Sequence, residues 1–135
     1  TLERLGNKTL TSYEQFGKDA KRELGTNDPK KLGEMVVEWL INYVSSGPVI
    51  AILLEGRHAV QNVIHLAGPT MPVEAPAGTI RGDFSTDSAA YANDEKRGVS
   101  NLIHISGTLE EANFEKTLWF KPSEIQSYKR AEESI

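Results

Sequence analysis

No cysteine occurs in the 135-residue chain, which excludes disulfides, thiolate metal sites and a cysteine nucleophile and fits an intracellular protein. No apolar run approaches the roughly 20 residues that a membrane span requires. The N-terminal stretch TLERLGNKTL lacks the basic-then-apolar layout of a secretory leader. These absences predict a soluble, cytoplasmic chain with no membrane partner. A formal charge of −4 and the lack of a basic stripe argue against nucleic acid as a partner, so any phosphate binding must come from local arginines and lysines. With three scattered histidines and no cysteine, no metal site is expected; His58 and His65 read as helix-surface residues. Internal repeats and low-complexity segments are also lacking. What remains is an ordinary composition, 39% hydrophobic and 25% charged, suited to one globular domain with a modest core.

The apolar pattern alternates in type along the chain. Lys8 to Phe16 and Asp19 to Leu24 are polar and helical in part, and GTNDP after them is a turn signature. From Lys31 to Val44 the residues Leu32, Met35, Val36, Leu40, Ile41 and Val44 fall at helical spacing, predicting one buried face, and SSGP stops the helix. VIAILLEG, beginning at Val49, is a continuous apolar run that reads as a central strand buried on both faces. His58 to Ala67 predicts a helix with Val60, Val63, Ile64 and Ala67 inward. A long Gly-, Pro-, Thr- and Ala-rich stretch from Gly68 to about Arg97 reads as a loop, either functional or disordered. Val99 to Ser106 is a second strong strand. Thr108 is the N-cap of the next helix, with Glu111 completing a capping box and Ala112, Leu118 and Trp119 buried. KPSEIQSY reads as a last short helix before a polar tail. Two central-type strands with several helices make an incomplete α+β domain, because strands this apolar need neighbours on both sides.

His104, inside the run NLIHIS, is the first candidate for chemistry. A histidine nucleophile needs an exposed ring, a partner that fixes its tautomer, and positive groups where an anion would sit. Glu115 follows on the next helix, Asn101 stands three residues before the histidine, Arg81 lies between glycines in GTIRGDF, and Thr70 offers a hydroxyl in a proline-stiffened loop. Residue chemistry alone leaves two readings. A lone histidine in an apolar run is more often a satisfied core residue, and GTIRGDF serves equally well as a surface turn whose arginine pairs with a neighbouring aspartate.

Taken together and in order, SSGPVIAILLEG, GPTMP, GTIRGDF, NLIHIS and EEANFEKTLWF resemble the nucleoside diphosphate kinase family, from about Gly33 to Tyr128. The resemblance implies a ferredoxin-like antiparallel α+β sheet flanked by helices. It implies transfer of the terminal phosphoryl group from a nucleoside triphosphate to a nucleoside diphosphate by a ping-pong route through phosphohistidine. His104 matches the family's catalytic histidine and Glu115 the glutamate that holds its ring. Thr70 and Arg81 match phosphate contacts, Asn101 matches the residue binding the sugar hydroxyl, and Val36 and Leu40 match the base-stacking site. Mg2+ would arrive with the nucleotide phosphates, and a homo-oligomer, hexamer or tetramer, is implied. Residues 1–30 resemble a helical insertion of archaeal-type members, and residues 1–135 would form a single domain lacking the family's N-terminal part.

Departures from the family pattern bear on activity. Ile64 stands where the family has a second phosphate-binding arginine, which Arg57, Lys96 or Arg97 would have to replace. Ile105 and Gly107 replace a small residue and an aspartate after the histidine. The family's first strand with its phosphate-binding lysine, first helix, second strand and the tyrosine approaching the histidine have no counterpart in this chain. The alternative expectation is therefore a kinase-like binding or assembly module that transfers no phosphate.

Overall fold

A computed structural model describes residues 1–128. Local capping chemistry sets its helices. Helix α1, Leu2–Gln15, starts at Thr1, whose side chain accepts the Arg4 N–H. Helix α2, Ala20–Leu24, is capped by Asp19, which accepts the N–H groups of Lys21 and Arg22 at 2.8 and 3.3 Å, and ends at Gly25 with φ 79°. Helix α3, Pro29–Val44, starts at Asp28 with a proline in its first turn, where the missing N–H costs nothing. The GTNDP turn thus ends one helix and begins the next.

The tightest packing is between α1 and α3. A Cβ on Gly6 would lie 1.8 Å from the Pro29 carbonyl oxygen, and one on Gly33 would lie 2.0 Å from that of Leu2. The two backbones touch at both glycines. Leu32 is fully buried beneath them, and Tyr13 is buried with its hydroxyl donating to the Asn93 carbonyl at 3.0 Å. The apolar face of α3 is buried only in its first half. Leu32 is enclosed and Met35 and Val36 are half-buried, whereas Leu40, Ile41 and Val44 are exposed.

The later elements are shorter. Helix α4, Ala59–Ala67, turns Val60, Val63, Ile64 and Ala67 away from solvent as its pattern predicts. The stretch from Gly68 to Arg97 is not one open loop: it holds a 3-10 helix at Pro72–Glu74, helix α5 at Ile80–Phe84 and helix α6 at Ala89–Asp94. Helix α7, Leu109–Trp119, begins at Thr108, which accepts the Glu111 N–H at 3.1 Å. The Glu111 carboxylate reaches back to the Gly107 N–H at 2.8 Å, one residue earlier than the expected capping box. Leu118 and Trp119, expected inside, are 68% and 50% exposed. A 3-10 helix at Pro122–Glu124 follows, and the expected polar tail from residue 129 lies outside the described residues.

The expected sheet is not formed by the described residues. Among the described residues no strand forms, and 49–55 and 99–106 have no ladder between them. Instead of being buried on both faces, Ile50 is 89% and Ile52 70% exposed. Strand pairing needs a neighbour at hydrogen-bonding distance, and apolar composition by itself supplies none. Among the described residues, no helix is long and apolar enough to cross a membrane.

Candidate active site

The 99–106 segment, lacking a ladder, is held along its length by side chains. Its entry is fixed by Asp87, whose carboxylate accepts the Ser100 N–H at 2.6 Å and pairs with both terminal nitrogens of Arg97, at 2.6 and 3.1 Å. The hydrogen bond from Arg97, helped by the Ser100 and Ser88 amides, holds the Asp87 carboxyl below its usual pKa and outweighs partial burial. Ser85 adds a hydroxyl bond to the Ser100 carbonyl at 2.9 Å.

The middle of the segment is strained. The Ile103 N–H donates to the Asn101 carbonyl at 2.8 Å, closing a three-residue turn about Leu102, which has φ 70°. A γ-turn with positive φ is the rare, strained form, and a leucine there needs outside support. Arg81 provides it. Its Nε donates to the Asn101 carbonyl at 3.2 Å, one terminal nitrogen to the Ile103 carbonyl at 2.7 Å and the other to the Gly68 carbonyl at 2.6 Å. The guanidinium grips both ends of the strained turn and ties them to the loop that carries Thr70. Arg81 is 4% exposed, and burial lowers its pKa from the usual arginine value.

GTIRGDF is the local reason that Arg81 can do this. Thr79 caps α5 by accepting the Gly82 N–H at 3.1 Å, and Asp83 accepts the Gly78 N–H at 2.8 Å. Asp83 is thereby turned onto the loop backbone and away from the surface ion pair with Arg81 that the alternative reading requires. A Cβ on Gly82 would fall 2.2 Å from the Pro76 carbonyl oxygen, so its glycine serves close backbone packing.

At the end of the segment stands His104, its side chain 75% exposed. Its Nε2 lies 2.8 Å from Oε1 of Glu115 on α7, and the Ser106 hydroxyl donates to Oε2 of the same carboxylate at 2.6 Å. Residues 104 and 106, two apart along the chain, both reach this one acceptor. An ionised carboxylate can only accept, so Nε2 carries a proton, and in the neutral ring the lone pair is on Nδ1, an assignment made from the hydrogen-bond network. The Ser106 bond first, then the His104 bond, holds the Glu115 carboxyl below its usual pKa.

The other expected site residues are placed less centrally. Thr70 is exposed in the loop that Arg81 grips through Gly68, and Asn101 is half-buried with its carbonyl on Arg81. Leu40 is 42% exposed on α3, on the side facing the 98–102 segment, since a Cβ on Gly98 would lie 3.6 Å from its Cδ2. A hollow of about 250 Å3 lined by Trp39, Tyr43, Arg97 and Gly98 adjoins this face. A larger hollow of about 750 Å3 lies on the polar side of α1 and shares none of the candidate site residues. Two placements bear on phosphate binding. The Arg81 guanidinium donates to three backbone carbonyls, and Arg97 is paired with Asp87 and with Glu95, the latter at 2.5 Å. Sequence reasoning missed Ser106, Asp87 and Tyr43; only Ser106 carried a signal, its two-residue spacing from His104.

An exposed imidazole with one nitrogen fixed by an anchored carboxylate and the other free is the arrangement of a histidine nucleophile in group transfer. The chain belongs to the nucleoside diphosphate kinase family, whose model, "Nucleoside diphosphate kinase", matches residues 28–125. It is 42% identical over 124 residues to a nucleoside diphosphate kinase of Pyrobaculum aerophilum, covering 92% of this chain and 68% of the relative. A Borreliella burgdorferi relative of the same name is 41% identical over 74% of this chain and 60% of its own length. The chain therefore spans between about half and about two thirds of such relatives. Among solved structures, an NDP kinase from Pyrobaculum aerophilum superposes with TM-score 0.87 at 41% identity, covering 93% of this chain and 69% of that one. The Borrelia burgdorferi nucleoside-diphosphate kinase, solved as a transition-state mimic with vanadate and ADP, gives TM-score 0.71 at 33% identity, covering 94% and 84%.

Proposed function

We propose that the whole protein is a nucleoside diphosphate kinase working through a phosphohistidine at His104. The observation that carries this reading is the chain from Ser106 to Glu115 to His104, which leaves Nδ1 exposed as a lone-pair donor. In the first half-reaction Nδ1 attacks the terminal phosphorus of the triphosphate. The bond from phosphorus to the bridging oxygen breaks, and the nucleoside diphosphate leaves with the electron pair. The ring keeps its Nε2 proton, and the Glu115 carboxylate offsets the positive charge that develops on it. In the second half-reaction a terminal oxygen of the incoming diphosphate attacks the phosphorus and the N–P bond breaks. The Borrelia burgdorferi relative, solved as a transition-state mimic with vanadate and ADP, supports phosphoryl transfer as the reaction.

The nucleotide enters as its magnesium complex, the metal being part of the substrate. Among the described residues no three acidic or imidazole groups gather, so the ion would be coordinated mainly by phosphate and water oxygens. Thr70 contacts phosphate, Asn101 the sugar hydroxyl and Leu40 the base, while Arg81 acts from beneath the loop as a buried charge and a clamp. In the whole protein the 49–55 and 99–106 segments become strands of a ferredoxin-like antiparallel sheet, their partners contributed by chain beyond these residues. Residues 1–30 form a helical insertion on that domain, and the exposed apolar residues fit a homo-oligomer, hexamer or tetramer.

Intact-mass spectrometry after brief incubation with magnesium ATP tests the reading. It requires a single phosphoryl adduct, labile in acid and stable in alkali, that His104→Ala abolishes. A second reading, a kinase-like module without transfer, is favoured by Ile64 and by the commitment of Arg97 to Asp87. Binding of ATP with no adduct on the whole, folded protein would establish that second reading.

A further inference from the structure

The turn before His104 is held from a second side by a residue outside the motifs that carry the resemblance. Tyr43 lies on α3 one turn beyond Leu40, and its hydroxyl accepts the Leu102 N–H at 3.2 Å. A γ-turn uses the carbonyl of its first residue and the N–H of its third, leaving the central N–H pointing outward. Here that central amide meets Tyr43. Arg81 takes the Asn101 and Ile103 carbonyls on either side, so the polar groups around the strained φ are gripped by two side chains from different elements. Leu102 is 46% exposed and offers little packing to pin the turn. Beyond it the His104 ring is mostly in solvent, fixed at its tip by Glu115.

We propose that Tyr43 is a positioning residue for phosphoryl transfer: by holding the Leu102 amide, its hydroxyl sets where the His104 ring stands relative to bound nucleotide and ties that position to α3. The inference rests on the kinase reading above. A residue at positive φ relaxes toward negative φ when its support is removed, and such a change two residues from the nucleophile shifts the ring. Misplacement by about 1 Å costs on the order of a hundredfold in rate when reacting atoms must be aligned. One neutral hydrogen bond accounts for only part of that hold, so Tyr43→Phe should slow phosphohistidine formation by about fivefold to tenfold. Nucleotide affinity should not change, because the hydroxyl faces the protein amide.

The test compares the whole wild-type protein, Tyr43→Phe and Tyr13→Phe. The last also loses one hydroxyl bond, to the Asn93 carbonyl, remote from the site. Single-turnover phosphorylation by magnesium ATP, ADP affinity and amide hydrogen exchange at residues 101–104 are measured on each. The expected result is a slowed first-order rate with unchanged ADP affinity and faster exchange at residues 102–104 in Tyr43→Phe alone. An unchanged rate, or a loss that Tyr13→Phe reproduces in proportion to melting temperature, overturns the proposal. If wild type takes no phosphoryl group, the kinase reading fails, and the exchange comparison still decides whether Tyr43 holds the turn: local acceleration supports it and none overturns it.

Discussion

The hydroxyl of Ser106 and the ring of His104 compete for nothing; they take different oxygens of Glu115, and each makes the other's bond more effective by keeping the carboxylate charged and oriented. Ser106→Ala should therefore lower the rate of phosphohistidine formation about tenfold, the usual weight of a hydrogen bond to a charged group, in rapid-quench measurements. The pH dependence follows from the direction of the shift. Glu115 has a folded pKa below its ordinary value, so its hold on His104 is complete above the ordinary carboxylate range and is lost as pH falls through the depressed value. Removing Ser106, the largest cause, moves that loss to higher pH, and a carbon-13 titration of the Glu115 carboxyl checks it. Arg81→Lys should cost about 2–4 kcal/mol in urea denaturation, since an ammonium cannot reproduce a planar fork donating to three carbonyls. At this scale the sequence motif disclosed His104 and Glu115. It did not disclose which carbonyls Arg81 touches, because those contacts depend on the path of the backbone.

Among the elements, the longer helices were legible and strand pairing was not, for one physical reason. A helix satisfies its backbone within itself, so Asp28 before Pro29 and Thr108 before Glu111 announce their helices locally. A strand's partner lies elsewhere in the sequence, and the apolar runs at 49–55 and 99–106 carry no record of it. Helices α5 and α6 were read as loop because five or six residues are too few to display a helical period. Asp87 substitutes for part of the missing ladder by joining Arg97 and the Ser100 amide. With Arg97 38% exposed the pair is screened, and Asp87→Asn should cost about 1–2 kcal/mol at neutral pH. Because the folded pKa of Asp87 is depressed, that difference should fade as pH falls below the ordinary carboxylate range, as paired denaturation curves would show. The α1–α3 contact gives a sharper prediction. Gly33→Ala puts a methyl group against the Leu2 carbonyl and should destabilise by about 2–4 kcal/mol, while Gly47→Ala, with nothing within 4 Å, should be near neutral in the same thermal melts.

For the molecule as a whole, the division is between a packed N-terminal helical layer and an apolar surface left open. Ile50, Ile52, Leu54, Leu109, Phe114 and Leu118 are all more than half exposed. Exposed apolar surface of this kind drives association, and excluded salts strengthen it. The 135-residue chain by itself should therefore self-associate, with light-scattering mass rising in ammonium sulfate. A monodisperse monomer at every salt concentration would contradict this. The layer formed by α1 on α3 has the opposite character. The two helices are registered where backbone meets backbone at Gly6 and Gly33, so the outward residues of α1, including Glu3, Asn7, Lys8, Thr11 and Gln15, contribute little to where either helix sits. Substitutions on that outer face should thus change charge and solubility at little cost in stability, whereas side chains added at the two glycines would have to push two backbones apart.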